Sequence, residues 1–227
     1  MPRHMQSNLS TTANKPLSLA IFATLVVLLQ SGCSLLGIRT SEEATYQTLQ
    51  QQGQFEIRQY EPRVIATTRV DSDFDDAGSQ AFRRLFNYIS GDNIAQREIA
   101  MTVPVIASEA EPTGSREIPM TTPVTGQKDG LGWRYSFVLP STFTLQNAPE
   151  PTDDRVRIEP IPARKVAVFR YSGSWGIEQF DDHSARLLQW LEQQKLEPES
   201  APRIAAYDPP FALPFLRRNE IMIDIKP

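Results

Sequence analysis

The chain has 227 residues, of which 23 are Lys or Arg and 27 are Asp or Glu, so its formal net charge is −4. An acidic chain without a run of basic residues is not typical of proteins that bind nucleic acid or dock on anionic lipids through charge. Because Cys33 is the only cysteine, an intramolecular disulfide is excluded. The length fits one domain of ordinary size behind a short leader.

The N-terminus has the pattern of a bacterial lipoprotein signal. Basic residues precede an apolar stretch at 17–29, which is about as long as a signal-peptide core and too short alone to span a bilayer. Two small residues then precede Cys33, as in a lipobox, although Gln30 departs from the usual pattern. We therefore predict that residues 1–32 are a signal peptide and that Cys33 is the acylated N-terminus.

An uncleaved membrane anchor is the alternative, because residues 16–38 contain no charged side chain. In both cases we expect the protein in the cell envelope of a bacterium, tethered to a membrane. Ser34, directly after the cysteine, favours the outer membrane, with the protein facing the periplasm. Residues 33–53 are polar and rich in Gln, and they predict a tether. The folded domain is then expected at 54–227.

Alternating side chains and turn residues predict the elements of this domain in chain order. Two strands come first, followed by a helix, three strands, two more strands, a second helix and two short strands. Two of these strands belong to a repeated motif, which is described below. The other strands are predicted at Phe55–Tyr60, Val64–Val70, Trp133–Leu139, Val156–Ile161, Lys165–Tyr171, Ile204–Tyr207 and Glu220–Ile225. This order indicates an α+β fold. We expect a distorted antiparallel β-barrel of two related β-α-β halves, with one helix per half.

A nine-residue motif occurs twice after the first helix. Residues 97–105 (REIAMTVPV) and 116–124 (REIPMTTPV) are identical at seven of nine positions. Both copies combine β-branched residues with a Pro near the end, which suits strands that stop or bulge there. With the polar turn at 109–115 between them, the two copies predict a β-hairpin.

Both helices are predicted from apolar residues at helical spacing. Ser72 and Asp75 resemble a capping box at the start of the first helix, and Ser90-Gly91 is a stop signal at its end. The first stripe comprises Phe74, Ala77, Ala81, Phe82, Leu85, Tyr88 and Ile89. The second comprises Ile177, Phe180, Ser184, Leu187, Leu188 and Leu191. Each helix is therefore expected to pack one face against the strands.

The residue patterns of most enzyme classes are missing from the sequence. The predicted mature chain has one histidine, His183, so a His-rich metal site and a His-Glu-x-x-His helix are excluded. No nucleophile-elbow motif accompanies it. Glycines at 126, 130 and 132 match no phosphate-binding fingerprint and indicate a hairpin turn. We therefore predict that the protein is not an enzyme.

Several stretches together resemble the SOUL heme-binding protein family. They are residues 86–93 (FNYISGDN), the Met-Thr-x-Pro-Val doublet, residues 207–210 (YDPP) and residues 214–221 (PFLRRNEI). The resemblance extends from about Phe55 to Ile225. It implies a barrel of two related halves and non-covalent binding of heme or another tetrapyrrole. The fold also resembles the effector-binding domains of certain transcription regulators.

The resemblance implies a heme groove along the first helix, at Phe82, Leu85, Phe86 and Ile89. Aromatic and aliphatic side chains suit the faces of a large, flat, apolar disc. The alternative is that these residues pack on the sheet, which is favoured for Leu85 and Ile89, whereas Phe82 and Phe86 lie towards one edge of the stripe. Arg83 is a candidate partner of a heme propionate at the rim, and its alternative is a solvated surface charge.

Two residues of the second half are further candidates. Trp175 precedes the second helix and either caps the groove or is a core aromatic at the helix entry. His183 is either an axial ligand of the heme iron or a helix histidine without a ligand role.

The expected function is therefore reversible, non-catalytic tetrapyrrole binding by a membrane-tethered envelope lipoprotein. One alternative is an envelope lipoprotein with a structural or interaction role that binds no heme. Another is a binder of a different flat amphipathic small molecule. A continuous apolar groove with a basic rim beside Phe82 and Phe86 favours binding, and a groove filled by aromatic side chains favours the structural role.

Overall fold

The computed structural model describes residues 41–95, 114–209 and 211–227. The predicted signal peptide, Cys33 and the first copy of the repeated motif at 97–105 lie outside the described residues. Within the described part of the chain, no helix combines the length and the apolar character needed to cross a membrane.

A nine-stranded sheet curls into a half-barrel, and two helices pack on one of its faces, which confirms the predicted α+β fold. The strands are β1 (Tyr46–Gln52), β2 (Phe55–Tyr60), β3 (Arg63–Val70), β4 (Asn93–Ile94), β5 (Val124–Asp129), β6 (Gly132–Val138), β7 (Glu150–Pro151), β8 (Val156–Ile161), β9 (Arg164–Tyr171), β10 (Arg203–Ala206) and β11 (Asn219–Ile225). The helices are α1 (Phe74–Ile89), α2 (Ile177–Gln194) and a short 3-10 helix at Pro214–Leu216. Strands β4 and β7 form a separate two-stranded sheet.

The sheet consists of two related halves. Its strand order is β1-β2-β9-β11-β10-β5-β6-β3-β8, and neighbouring strands are antiparallel. Each strand of the first half has a counterpart in the second half: β2 corresponds to β8, β3 to β9, β5 to β10 and β6 to β11. If β1 is left out and every strand is replaced by its counterpart, the same strand order is obtained in reverse. The β5–β10 pair lies at the centre, and each half inserts its helix after its second strand. The predicted pair of related halves is therefore confirmed.

The two ends of α1 are set by local hydrogen bonding and a glycine. Asp73 precedes the helix, and its carboxylate accepts a hydrogen bond from the backbone N–H of Asp76 at 3.0 Å. The capping residue is therefore Asp73 rather than the predicted Ser72, since it lies the right distance from the free N–H groups. The helix ends at Ile89, and Gly91 follows with φ = 121°, a conformation that favours glycine.

The main core lies between the helices and the sheet. Leu85 of α1 and Leu187 of α2 are completely buried there. In α2 the buried face is rotated from the predicted stripe, because Trp190 is buried whereas Leu188 is 39% exposed. The Trp190 ring stacks on Phe55 of β2 at 5.0 Å between ring centroids. The buried face of α2 therefore includes the Trp190 flank and leaves Leu188 at its opposite edge.

The opposite, helix-free face of the sheet carries buried charges. Arg58 of β2 donates two hydrogen bonds to the carboxylate of Glu220 in β11, at 2.8 and 2.9 Å, and both side chains are fully buried. Arg218 Nε and the Tyr207 hydroxyl donate to the same carboxylate at 2.9 and 2.7 Å. Within the described part of the chain, no buried side-chain atom of these four residues lacks a hydrogen-bond partner. We refer to Arg58, Tyr207, Arg218 and Glu220 as the Glu220 network.

The N-terminal segment belongs to the fold, which corrects the tether predicted at residues 33–53. Strand β1 pairs with β2 along its whole length. Its residues are nearly all exposed, so the strand needs few apolar side chains and shows no alternating pattern. The folded domain therefore includes residues 42–53 and does not begin at 54.

The residues before β1 contact segments that are distant in the chain. The Ala44 N–H donates to the Thr122 carbonyl at 3.1 Å. Glu43 accepts hydrogen bonds from Arg218 of the Glu220 network at 2.9 and 3.1 Å. This segment thus covers one end of the helix-free face.

The second copy of the repeated motif is not a hairpin strand, which corrects that prediction. Residues 116–123 are irregular, and only Val124 of the motif belongs to β5. Proline at 119 and at 123 removes two backbone donors, so a continuous ladder cannot form. The Ile118 N–H instead donates to the Ile89 carbonyl at 2.7 Å, which holds this segment against the end of α1.

A methyl group at Gly132 is expected to destabilise the sheet. Its Cβ would lie 2.3 Å from the carbonyl oxygen of Val70 and 2.9 Å from the Cα of Asp71, and backbone atoms cannot move aside easily. Gly132→Ala should lower the free energy of unfolding by about 1–3 kcal/mol in urea denaturation. Gly78→Ala is the control, because its Cβ would come no nearer than 3.2 Å to the Tyr135 hydroxyl and alanine favours the helix. Equal stability of the two variants would contradict the close approach.

Candidate functional site

Two phenylalanines form an exposed aromatic surface on α1, which we call the α1 ledge. Phe82 is 41% exposed and Phe86 is 45% exposed. Their rings stack with 5.8 Å between centroids and 12° between planes. Phe82 also packs edge-on against the buried ring of Phe137 in β6, at 5.5 Å. The ledge is therefore anchored to the core and presents apolar surface to the outside.

Helical geometry explains why these two side chains remain outside. Residues four apart lie on the same flank of a helix, so Phe82 and Phe86 share one edge of α1. Leu85 and Ile89 point to the sheet, where they are 0% and 5% exposed. The prediction that Leu85 and Ile89 contact a ligand is therefore corrected, and both belong to the core, as in the alternative stated for them.

A shallow polar depression lies next to the ledge. It has a volume of about 260 Å³. It is lined by Gln80, Arg83, Arg84, Asn87, Tyr88, Asp92, Asp153 and Arg155. Arg83 is exposed and forms no hydrogen bond or ion pair with another described residue. The guanidinium of Arg83 is therefore free to pair with an anionic group.

The other two arginines of the depression are held by the protein. Arg84 donates to the Arg69 carbonyl at 3.1 Å, which ties α1 to β3. Arg155 donates to both carboxylate oxygens of Asp153, at 2.8 and 2.7 Å. These hydrogen bonds lower the pKa of Asp153 to about 2. Arg83 is thus the most available cation beside the ledge.

Trp175 lies between β9 and α2 and is 37% exposed. Its indole N–H donates to the side-chain oxygen of Asn219 at 2.7 Å, and Asn219 in turn donates to the Gly173 carbonyl at 3.1 Å. These contacts hold the loop before α2 against the start of β11. The structure shows no contact of Trp175 with the α1 ledge among the described residues.

His183 lies on α2 and faces the sheet. Its ring packs 4.2 Å from the Tyr171 ring and 5.3 Å from the Phe169 ring, between centroids, and its side chain is 17% exposed. Nδ1 lies 3.2 Å from the Asp182 carboxylate but without hydrogen-bonding geometry. The structure therefore places the candidate axial ligand on a different helix from Phe82 and Phe86, within an aromatic cluster.

The burial of His183 has a consequence for stability. Burial lowers its pKa below the ordinary value of 6.5, which outweighs the opposing charge of Asp182. Below about pH 6.5 the unfolded chain then binds more protons than the folded one, so stability falls as the pH drops. His183→Gln should make this loss shallower in urea denaturation between about pH 7.5 and about pH 5.5. An identical pH profile for the variant and the wild type would contradict the lowered pKa.

Metal ligation by protein side chains finds no support in the described part of the chain. No group of three or more His, Cys, Asp or Glu residues lies close enough together there to hold a metal ion.

Two features of the molecule were not predicted from the sequence. Asn87, Gln80 and Arg155 line the depression, but polar residues at isolated positions carry no motif. The charged helix-free face was also missed, although it left a signal. Glu56 and Arg58 occupy alternate positions of β2, and a charge that recurs on one face of a strand indicates that this face is not an ordinary apolar core.

Comparisons with known proteins agree with the fold. The model of the family described as SOUL heme-binding protein matches residues 41–224. Heme-binding protein 1 of Xenopus tropicalis is 26% identical over 168 residues, which cover 74% of this chain and 81% of that protein. Heme-binding protein 2 of Homo sapiens is 31% identical over 175 residues, with coverage of 76% and 78%.

One solved structure shows a likeness of fold alone. A cryo-EM structure of an EcmrR–DNA complex superposes with a TM-score of 0.51 at 10% sequence identity, covering 92% of this chain and 65% of that one.

Proposed function

Because the chain belongs to the SOUL heme-binding protein family, we propose that it binds heme or a related tetrapyrrole non-covalently at the α1 ledge. The observation that carries this assignment is the pair of exposed, mutually stacked rings of Phe82 and Phe86. Exposed aromatic rings held in parallel offer a flat apolar surface, which matches one face of a porphyrin.

The chemistry of the neighbouring residues also fits this group. Heme is an apolar disc that carries two carboxylates, so its site needs an apolar surface with a cation at the rim. Arg83 follows Phe82 on α1 and has a free guanidinium, which can form a charge-assisted hydrogen bond with a propionate. The depression beyond it offers Asn87 and Gln80 as further donors. The ledge therefore holds the disc and Arg83 orients it.

We propose that binding is reversible and is not followed by catalysis. Phe82 and Phe86 carry no ionisable group, and Arg83 serves to pair with a propionate. Of the two carboxylates that line the depression, Asp153 is engaged by Arg155 and has a lowered pKa. A redox-active iron would be supplied by the ligand itself. The residues of this chain would bind and orient it, as expected for a carrier, buffer or sensor.

The titration of hemin into residues 34–227, followed by Soret absorbance, tests the proposed function. The wild type should give a saturable change with one hemin per chain. Phe86→Asp places a charge under the disc and should weaken binding by at least about tenfold. Leu131→Asp is the matched control, because Leu131 is 98% exposed in the β5–β6 turn and the variant adds the same charge. Equal loss in both variants, or no saturable change in the wild type, would refute the assignment.

His183→Ala addresses axial ligation in the same titration. The side chain is packed between Tyr171 and Phe169, and the ledge lies on the other helix. We therefore expect the Soret maximum and the affinity of the variant to equal those of the wild type. A shifted Soret maximum with unchanged folding would instead identify His183 as the iron ligand.

We further propose that the protein is a lipoprotein of the bacterial envelope, acylated at Cys33 and facing the periplasm. Glu43, which accepts hydrogen bonds from Arg218, lies ten residues after Cys33 in the sequence, and ten residues of extended chain span at most about 35 Å. The domain would then lie close to the membrane. Cys33→Ser should move the protein from the membrane fraction to the soluble fraction and abolish incorporation of labelled palmitate. Unchanged fractionation of the variant would contradict acylation.

A further inference from the structure

A second cavity lies on the helix-free face of the sheet, with a volume of about 340 Å³. Residues from both halves line it, including β3 and β6 of the first half and β9, β10 and β11 of the second half. Because strand residues alternate between faces, this cavity and the α1 ledge lie on opposite faces of the sheet. Ile65 and Val138 line the cavity, whereas their neighbours Ala66 and Phe137 belong to the core under the helices.

The lining carries more positive than negative charge. Four arginines line the cavity, at positions 63, 134, 164 and 203, together with the two carboxylates of Glu159 and Asp224. This excess is unusual in a chain whose formal net charge is −4. An excess of cations around a partly enclosed space attracts anions.

The carboxylates neutralise these cations only in part. Asp224 accepts from Arg203 at 2.6 Å and also pairs with Arg164, so both of its oxygens are engaged. Glu159 lies 3.7 Å from Arg134, which also pairs with Asp129, outside the lining, at 2.9 Å. Arg164 still has a buried Nε without a hydrogen-bond partner among the described residues. The guanidinium of Arg164 therefore has one N–H group that can donate a hydrogen bond to a ligand.

Arg63 has no carboxylate partner within the described part of the chain. Its guanidinium donates to the Glu61 carbonyl at 3.3 Å and lies 4.8 Å from the centre of the Tyr60 ring. Burial lowers its pKa to about 10, and the charges of Arg203 and Arg164 add to this effect. A bound anion would compensate these crowded charges.

The rest of the lining is largely apolar. Tyr60, Ile65, Val138 and Met222 are partly or fully buried and pack together as a small cluster on this face. The cavity thus combines an apolar wall with a cationic rim, and its volume is within the range of small-molecule sites.

We propose that this cavity binds a small amphipathic anion, in which one carboxylate or phosphate is joined to an apolar body. The anionic group would pair with Arg63 and the free Nε of Arg164. The apolar body would lie on the wall formed by Tyr60, Ile65 and Met222. This site is separate from the tetrapyrrole site and does not depend on it.

Calorimetric titration of the full-length protein with octanoate tests the proposal, with a nonionic detergent at the same concentration in every titration. Octanoate should bind saturably with one molecule per chain, and octanol and octylammonium should bind at least about tenfold more weakly. Octyl phosphate distinguishes the two anionic groups by its affinity relative to octanoate. An equal affinity for octanol would overturn the proposal.

Two variants of Arg63 localise the binding. Arg63→Gln should weaken octanoate binding about tenfold, and Arg63→Lys should retain most of the affinity because it keeps the charge. Arg186→Gln is the matched control, since Arg186 lies on α2, is 56% exposed and pairs only with Asp182 among the described residues. If Arg63→Gln does not fold, Arg134→Gln should weaken binding by about threefold, because Arg134 lines the same rim but is 44% exposed. If Arg63→Gln, or Arg134→Gln where Arg63→Gln does not fold, binds octanoate with wild-type affinity, the proposal is overturned.

A competition experiment separates this site from the α1 ledge. Saturating octanoate should leave the hemin titration unchanged, and Phe86→Asp should leave octanoate binding unchanged. Displacement of hemin by octanoate would show one shared site and would overturn the proposal of a separate anion site.

Discussion

Replacement of Glu220 by alanine is expected to lower the free energy of unfolding by about 3–5 kcal/mol. Glu220 is completely buried and accepts hydrogen bonds from Arg58, Arg218 and Tyr207. Its removal would leave the buried guanidinium groups of Arg58 and Arg218 without their shared carboxylate. Urea denaturation of residues 34–227 measures the loss.

The control for Glu220→Ala is Glu197→Ala, which removes a fully exposed ion pair with Lys226. Exposed pairs contribute little, so the stability of this variant should be nearly that of the wild type. A similar loss in both variants, or no loss in Glu220→Ala, would contradict the structural role of the Glu220 network.

The Glu220 network also predicts a pH dependence. Burial opposes ionisation of Glu220, but the hydrogen bonds and charges of Arg58 and Arg218 prevail and lower its pKa below the ordinary 4.5. Because the pKa of Glu220 is lower in the folded than in the unfolded chain, the ionised carboxylate stabilises the fold above about pH 4.5. This stabilisation is lost as the pH falls through the pKa of the folded state. The acid limb of the wild-type stability profile should therefore be steeper than that of Glu220→Ala.

Tyr46→Ala is expected to lower the free energy of unfolding by about 2 kcal/mol. Tyr46 of β1 packs its ring 5.0 Å from that of Tyr60 and lies 4.3 Å below the guanidinium of Arg58, between ring centre and Cζ. Its hydroxyl accepts a hydrogen bond from Arg218 at 3.3 Å. The variant thus exposes the Glu220 network at the end of the sheet that β1 covers.

Leu49→Ala is the control for Tyr46→Ala, because Leu49 lies on the same strand and is 48% exposed. It should cost much less stability than Tyr46→Ala, and thermal unfolding of both variants measures the difference. If both variants were as stable as the wild type, β1 would be the dispensable tether that the sequence pattern predicted.

The fold could be predicted wherever burial leaves a periodic pattern. Strands such as Phe55–Tyr60 and Lys165–Tyr171 bury alternate residues against the helices, and both helices bury one stripe, so the two related halves were visible in the order of elements. The strand β1 escaped prediction because it is an exposed edge strand whose side chains are mainly polar. The hairpin prediction for the repeated motif was wrong in its second copy. Its β-branched residues favour strands, but its prolines lack the backbone N–H groups that hydrogen bonding between strands needs.

The candidate site could be predicted only in part. The position of Phe82 and Phe86 at the edge of a helical stripe anticipated their exposure, and the core position of Leu85 and Ile89 was the alternative that the structure supports. The cavity around Arg63 could not be found in this way, since it assembles residues from eight strands that are distant in the chain. Only the strand order of the sheet brings them together.

Paramagnetic broadening by hemin in amide NMR spectra of residues 34–227 is the most direct test of the α1 ledge as the tetrapyrrole site. Ferric hemin broadens the signals of nearby amides, and a diamagnetic zinc porphyrin serves as the control that causes no broadening. The strongest loss of signal is predicted for residues 82–87, with little loss around Arg63 and Arg203. Broadening centred on those two arginines, or spread evenly over the spectrum, would contradict binding at the ledge.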